Sequence, residues 1–469
     1  MNKLSLTLIL LFLCSLTGIS QNKKFDKTLR KIDSYYASGN FLKASSSLAK
    51  LKSSAVSKLG RTNPYMPGLA LREAKIKLAM GMLTDFDATL TTAMNEAASA
   101  FGDNSNAYAN TLIEVAAMYN EYGNHRIARE YIRKAEDVLG KTADIEKHTK
   151  AKLDLIEAEA MIGQGFYRDA ITLLTPYEEY YLSRAVEKES IVENGQIISK
   201  RVPESELFER FNQYATYKTL LGMAYGDMGR AAVTGASAED PDVDFVFQEL
   251  KSWFKGKNRF MGETSLAEVR YQYIWNRILV EYFQGEGSLK QYSFAENLSD
   301  LKKRTTPSNA LAHEVYLSYL RELLRSEQYS KYLNVRLEYE RMIEKNYPKT
   351  SVHRANLNAV EFNAKLARDK TRNLENQALG VLASKSLPEN YKTNILILNF
   401  LFEVALAEKK YANAEKYLLQ IADVQKELCG EESPKHHLAR LAIANFYLDY
   451  TNKIDEAGKI YEESYFKIV

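Results

Sequence analysis

The stretch from Asn106 to Gly140 constrains this chain more than any other. Leu112, Val115, Ala116 and Tyr119 recur at three- and four-residue steps, Gly123 interrupts the pattern, and Ala128, Ile132 and Ala135 restart it. The spacing predicts two amphipathic helices of about a dozen residues joined by a short turn. A pair this small cannot bury both of its apolar stripes, so it requires neighbours of its own kind.

Such neighbours are present. Ala44, Ala128, Ala170, Ala414 and Ala457 each fall in the middle of a second helix, after a turn carrying a bulky residue. The step is 42 residues from Ala128 to Ala170 and 43 from Ala414 to Ala457, within the range of helical repeat arrays. The small and large residues Leu112, Ala116, Tyr119, Gly123, Ala128 and Ala135 resemble the signature of the tetratricopeptide repeat (TPR) family, and Leu221, Gly222, Tyr225 and Gly229 repeat its first half. The spacers after Phe101 and Cys429 are similar to the longer variant found in kinesin light chains. The resemblance is strong at 25–55, 106–186 and 389–468 and weak at 70–100 and 265–385. It implies an all-α fold, a right-handed α-solenoid of about ten TPR-like hairpins, and it implies architecture far more than function.

Composition agrees. With 9 Pro and 22 Gly among 469 residues, 45% apolar and 26% charged, the chain has little room for disorder or for an all-β fold. The 63 basic and 60 acidic residues interleave to a net charge of +3, which gives no field for nucleic acid or an anionic membrane. Two short basic clusters, Lys255, Lys257 and Arg259, then Lys302, Lys303 and Arg304, read as solvated helix ends and turns.

In chain order, residues 1–20 read as a secretory signal peptide: Lys3, an apolar run from Leu4 to Leu13, then the small residues Gly18 and Ser20. The mature chain is expected to begin at Gln21, periplasmic or secreted, with no transmembrane segment. A lipid anchor on Cys14 is disfavoured because Leu13 stands where that processing demands a small side chain. Without Cys14, Cys429 has no intrachain disulfide partner. A large exported chain without disulfides, with a leader ending Ser-Gln, looks bacterial and most like exported proteins of the Bacteroidetes.

Residues 21–186 form the N-terminal TPR-like repeats, although Leu83 stands where a turn glycine is expected. At 187–203 the periodicity changes. Ile191 and Val192, then Ile197 and Ile198, flank Asn194-Gly195, which predicts a small β-hairpin, with an irregular loop as the alternative. Divergent helical repeats follow at 204–385, with a loop inserted at 235–242 and buried stripes marked by Trp275, Ile278, Tyr316, Tyr319, Leu337 and Met342. C-terminal TPR-like repeats occupy 386–469. Within them Asn394 to Ala407 is too short and too polar for a bilayer and reads as a helix buried on several sides.

The sequence offers almost no chemistry. His125 occupies an aromatic turn position and reads as packing. Glu431, Glu432, His436 and His437 resemble a metal cluster only in composition, since they lie in an inter-helix spacer without HExxH, paired cysteines or an EF-hand loop. Phosphate-binding glycine motifs and a nucleophile elbow are absent. No enzyme, cofactor or metal is expected.

Binding remains, to a protein or peptide partner. In TPR arrays the first helices of successive hairpins line a concave groove, and the resemblance carries this role to Asn110, Ile113, Ala117, Asn120 and Glu121, with Asn399 and Asn445 in later repeats. Tyr461, Tyr465 and Phe466 form a candidate C-terminal interface, for self-association or a downstream domain. The expected function is an exported, non-catalytic scaffold or adaptor. The alternatives are the extracytoplasmic sensory or docking region of a signalling or envelope-assembly protein, or a helical lipoprotein that binds glycans or nutrients.

Overall fold

The computed structural model describes residues 23–141, 145–193, 196–233, 243–261, 266–282, 293–306, 309–366 and 374–468. The expected leader with Cys14, the start at Gln21, the turn Asn194-Gly195, the loop at 235–242 and Val469 lie outside them. Among the described residues the protein is helical apart from one two-stranded sheet, and no helix is long and apolar enough to cross a membrane. The chain divides into two compact units. One comprises Met1–Asn63, Ile145–Ile162 and Tyr167–Val315, the other Pro64–Asp144, Gly163–Phe166 and Tyr316–Val469. These cut across the segments expected from the sequence, because packing, not sequence order, groups the hairpins.

In the second unit the signature hairpin forms as its pattern requires. The Ser105 hydroxyl accepts the Tyr108 N–H at 3.1 Å and starts the Asn106–Tyr122 helix, satisfying a donor that no carbonyl of the helix can reach, at a gain of about 1 kcal/mol. Gly123 stops it in the left-handed region, φ 98°, where a Cβ is disfavoured. Asn124 then caps the His125–Gly140 helix by accepting from Ile127 N–H at 3.1 Å. Ala128 and Ala135 are fully enclosed, and so are Ala44, Ala170, Ala414 and Ala457.

The preceding hairpin, Met66–Ala79 and Phe86–Phe101, turns at Gly81 with φ 64°. The turn glycine therefore stands two positions before Leu83, which is buried as a core residue. In the Tyr329–Asn346 helix the buried stripe is Tyr332, Val335, Tyr339, Met342 and Ile343. Leu337 lies on the opposite face, 41% exposed, contrary to expectation. The Lys392–Ala407 helix is buried through Ile397, Leu398, Phe400, Leu401, Val404 and Ala405.

Repeats in an open array touch only their neighbours. Here residues nearly three hundred positions apart meet inside one unit. Val352 donates its N–H to the Gly81 carbonyl at 2.9 Å, and His353 Nε2 lies 3.3 Å from the Ala79 carbonyl. Tyr122 and Tyr391 pack edge to face at 5.3 Å. Arg126 Nε donates to the Glu427 carbonyl at 3.1 Å, and Gln164 Nε2 to that of Cys429 at 2.5 Å. Of these, the Tyr122 and Arg126 contacts involve the Asn106–Gly140 hairpin, and the Gly81 and Ala79 contacts the hairpin before it.

In the first unit Lys23–Ala37 pairs with Phe41–Leu59. The predicted β-hairpin is present: β1, Lys188–Glu193, runs antiparallel to β2, Gln196–Arg201, with Ile191 opposite Ile198 and Val192 opposite Ile197. Its base is held by Arg210, which pairs with Glu189 at 2.9 Å and Glu206 at 2.7 Å. Glu204–Val233 is one unbroken helix, so Gly229 is not the turn that the repeat pattern suggested. Gly222 and Gly226 serve close packing instead: a Cβ would stand 2.7 Å from Phe247 and 2.8 Å from Ile278 respectively. The core beyond them is aromatic, with Phe247 stacked on Trp275 at 5.4 Å and Phe254 on Tyr271 at 4.9 Å.

Candidate partner-binding face

The groove positions carried over from the repeat pattern divide by burial. Ile113 is wholly enclosed, which removes it from any surface, and Asn120 is buried with its Oδ1 3.2 Å from His125 Nδ1. Their helix packs against His125–Gly140 and against both helices of the preceding hairpin, Met66–Ala79 and Phe86–Phe101. Asn110 and Ala117 are half-buried, while Glu121 is exposed. His125 therefore packs, as its turn position implied. Burial drives its pKa down to about 3, helped by Lys435 and Lys392, so the ring is neutral.

The later candidates remain on the surface. Asn399 is exposed on the Lys392–Ala407 helix and Asn445 on the Pro434–Tyr450 helix. The Tyr461 hydroxyl donates to Asn445 Oδ1, which orients the amide. Between these helices runs a row of rings that sequence reasoning missed. Phe402 meets Phe446 edge to face at 6.2 Å, Phe446 stacks on Tyr450 at 5.6 Å, and Tyr450 lies 5.8 Å from Tyr411. Phe446 is buried, Phe402 half-buried, and Tyr411 and Tyr450 are exposed. Leu438, 51% exposed, and Leu448 are exposed on the same helix away from the rings, Leu448 on the side opposite Phe446. The available signal was that PKHHLARLAIANFYLDY carries large apolar residues around its whole circumference, more than two neighbouring helices can cover.

Paired charges frame the row. Lys453 holds Glu415 at 2.5 Å and, by that hydrogen bond, keeps its carboxyl below the usual range. Glu415 also accepts from the Tyr447 hydroxyl at 2.7 Å, whose pKa is pushed up to about 12, by burial first and then by this bond. Lys410 pairs with Glu375 at 3.3 Å and Glu408 at 2.6 Å. Tyr465 and Phe466 project elsewhere, Phe466 at 82% exposure.

The spacer histidines are buried. His436 Nδ1 lies 3.1 Å from the Ala422 carbonyl and His437 Nδ1 3.2 Å from Ser464 Oγ, and burial lowers both pKa values. Glu432 is instead paired with Lys467 at 2.5 Å. Among the described residues no group of three or more His, Cys, Asp or Glu is placed to hold a metal ion. Cys429 is buried, and burial raises its thiol to about 11, a weak nucleophile at neutral pH. The face offers stacking surface and amide hydrogen bonds, which suit recognition more than bond-making. A scan against models of known protein families finds no match, and no curated protein matches the chain in sequence.

Proposed function

We propose that the chain is an exported, non-catalytic scaffold or adaptor built from TPR-like helical hairpins, and that it binds a protein or peptide partner across the face bearing Phe402, Tyr411 and Tyr450. The observation that supports this most is the aromatic row between two well-packed hairpins, with Tyr411 and Tyr450 exposed at one end. Surface rings give a partner apolar area to bury, and tyrosine anchors lose little side-chain entropy on binding. Asn399 and Asn445 add amide donors and acceptors able to pair with a peptide backbone.

The exposed Tyr465 and Phe466 favour a second reading, a docking region of a larger extracytoplasmic assembly that engages a neighbour through this patch. Tagged wild-type protein and the Tyr411→Ala/Tyr450→Ala variant, each purified from the native envelope, separate the two. The scaffold reading expects the variant to lose the co-purifying chains while keeping its unfolding midpoint. If it retains them and Phe466→Glu loses them, the docking reading replaces it.

A further inference from the structure

In the first unit three cationic or proton-carrying side chains gather around one tyrosine. Lys147 Nζ lies 5.2 Å and Arg184 Cζ 5.3 Å from the centre of the Tyr180 ring, while His148 Nδ1 lies 3.0 Å from the Tyr180 hydroxyl. The surrounding cations have carboxylate partners. Lys150 pairs with Asp154 at 2.6 Å, Arg210 with Glu189 and Glu206, and Lys218 with Glu178 at 2.6 Å and Glu249 at 2.8 Å. Lys147 and Arg184 have none among the described residues, and Arg184 Nε is enclosed without a hydrogen-bond acceptor.

A guanidinium held against a ring is planar, weakly hydrated and ready to present two parallel N–H groups to an oxyanion. Lys147 and His148 open the Lys147–Gln164 helix, whose free N–H groups add positive potential at that end. In the tautomer in which Nδ1 accepts from the Tyr180 hydroxyl, the neutral imidazole carries its proton on Nε2, a further donor. The local field is positive at this ring: burial lowers the His148 pKa, and Arg184, Lys152 and Arg210 lower it further against Glu146.

We propose that Lys147, His148 and Arg184, grouped around Tyr180, form a binding site for an oxyanion, a carboxylate or a phosphate group. The anion accepts from the Arg184 Nη groups, Nε being enclosed, and offsets the charge of both cations. Once bound, it favours the imidazolium form of His148.

The test follows the imidazole resonances of the six histidines while sodium phosphate or sodium acetate is added at ionic strength held constant with sodium chloride. The His148 signal is expected to shift saturably and its pKa to rise. Arg184→Gln should weaken binding about tenfold, the loss of one charge-assisted hydrogen bond, and Lys147→Gln should weaken it less. A response to phosphate alone identifies a phosphate site; equal responses identify a site for which a carboxylate suffices. If neither anion moves His148 beyond what chloride does, the site does not exist. An unchanged titration in Arg184→Gln, or in the exposed Lys147→Gln should the former fail to fold, equally overturns the proposal.

Discussion

The imidazole of His125 lies so close to Gly163 that a Cβ on that glycine would stand 2.3 Å from three ring atoms. The ring is fixed on its other side, with Nδ1 beside Asn120 Oδ1, and cannot withdraw without breaking that bond. Gly163→Ala is therefore expected to cost about 1–3 kcal/mol, the usual range for overpacking. Gly140→Ala is the control, since nothing lies within 4 Å of the point where its added methyl would stand; helix propensity predicts an unchanged or slightly raised midpoint. Denaturant unfolding of both variants decides it, and equal midpoints would remove His125 as a wedge between helices.

How much of this was legible follows from the reach of each signal. The turn at Gly123 and the enclosed alanines are local, and three- and four-residue spacing revealed them, whereas the caps at Ser105 and Asn124 emerge only in the structure. The β-hairpin was equally legible, because β-branched pairs around Asn-Gly specify it within a dozen residues. Long-range packing was not. Nothing near Tyr122 or Gln164 announces that Tyr391 and Cys429 will meet them, and Ile113 and Asn120, read as groove positions, are buried. Leu337 failed for a related reason: a single leucine on a helix fits either face, and the denser stripe of Tyr332, Val335 and Tyr339 decides which is buried. The aromatic row of the candidate face was visible only as composition, since its rings come from three helices.

Ala128 sits in the crossing between two helices with no exposed surface. Ala128→Leu adds three heavy atoms there, and a loss of about 1–3 kcal/mol is expected. Ala128→Gly should also destabilise, by about 1 kcal/mol, through helix propensity rather than crowding. A leucine variant as stable as the wild type would show that the helices part at little cost.

Acid should weaken the second unit through its buried histidines. His353, buried with Nε2 toward the Ala79 carbonyl, has its pKa lowered by burial to about 4, and His125 to about 3. Both values lie below the unfolded value of about 6.5. Between these limits the unfolded chain binds more protons, so stability is fully present above about pH 6.5 and falls as pH drops toward the folded values. The slope is expected to approach 1 kcal/mol per pH unit for each group once partial solvent access is allowed for. His125→Phe keeps a flat ring against Gly163 and removes one proton site. Its unfolding free energy should vary less between pH 6.5 and 4.5 than that of the wild type. Parallel pH profiles would show that His125 is not buried as a neutral base.

Lys409 occupies the position in its turn that Gly123 fills in the signature hairpin. Its φ is 58°, and its N–H and that of Lys410 return to the Leu406 and Ala405 carbonyls at 3.0 and 2.8 Å, closing the end of the Lys392–Ala407 helix. A left-handed residue with a Cβ costs about 1 kcal/mol, and glycine escapes that cost. Part of the gain is offset because glycine also frees the unfolded chain, by about 0.4–1 kcal/mol. The Lys409 side chain is exposed, so little else is lost with it. Lys409→Gly is therefore expected to leave stability unchanged or raise it by up to about 0.5 kcal/mol, whereas Lys409→Val, β-branched at a positive φ, should lower it by at least about 1 kcal/mol. The difference between the two midpoints is the measurement. If valine is tolerated as well as glycine, the turn relaxes out of the left-handed region and the helix end is not held as described.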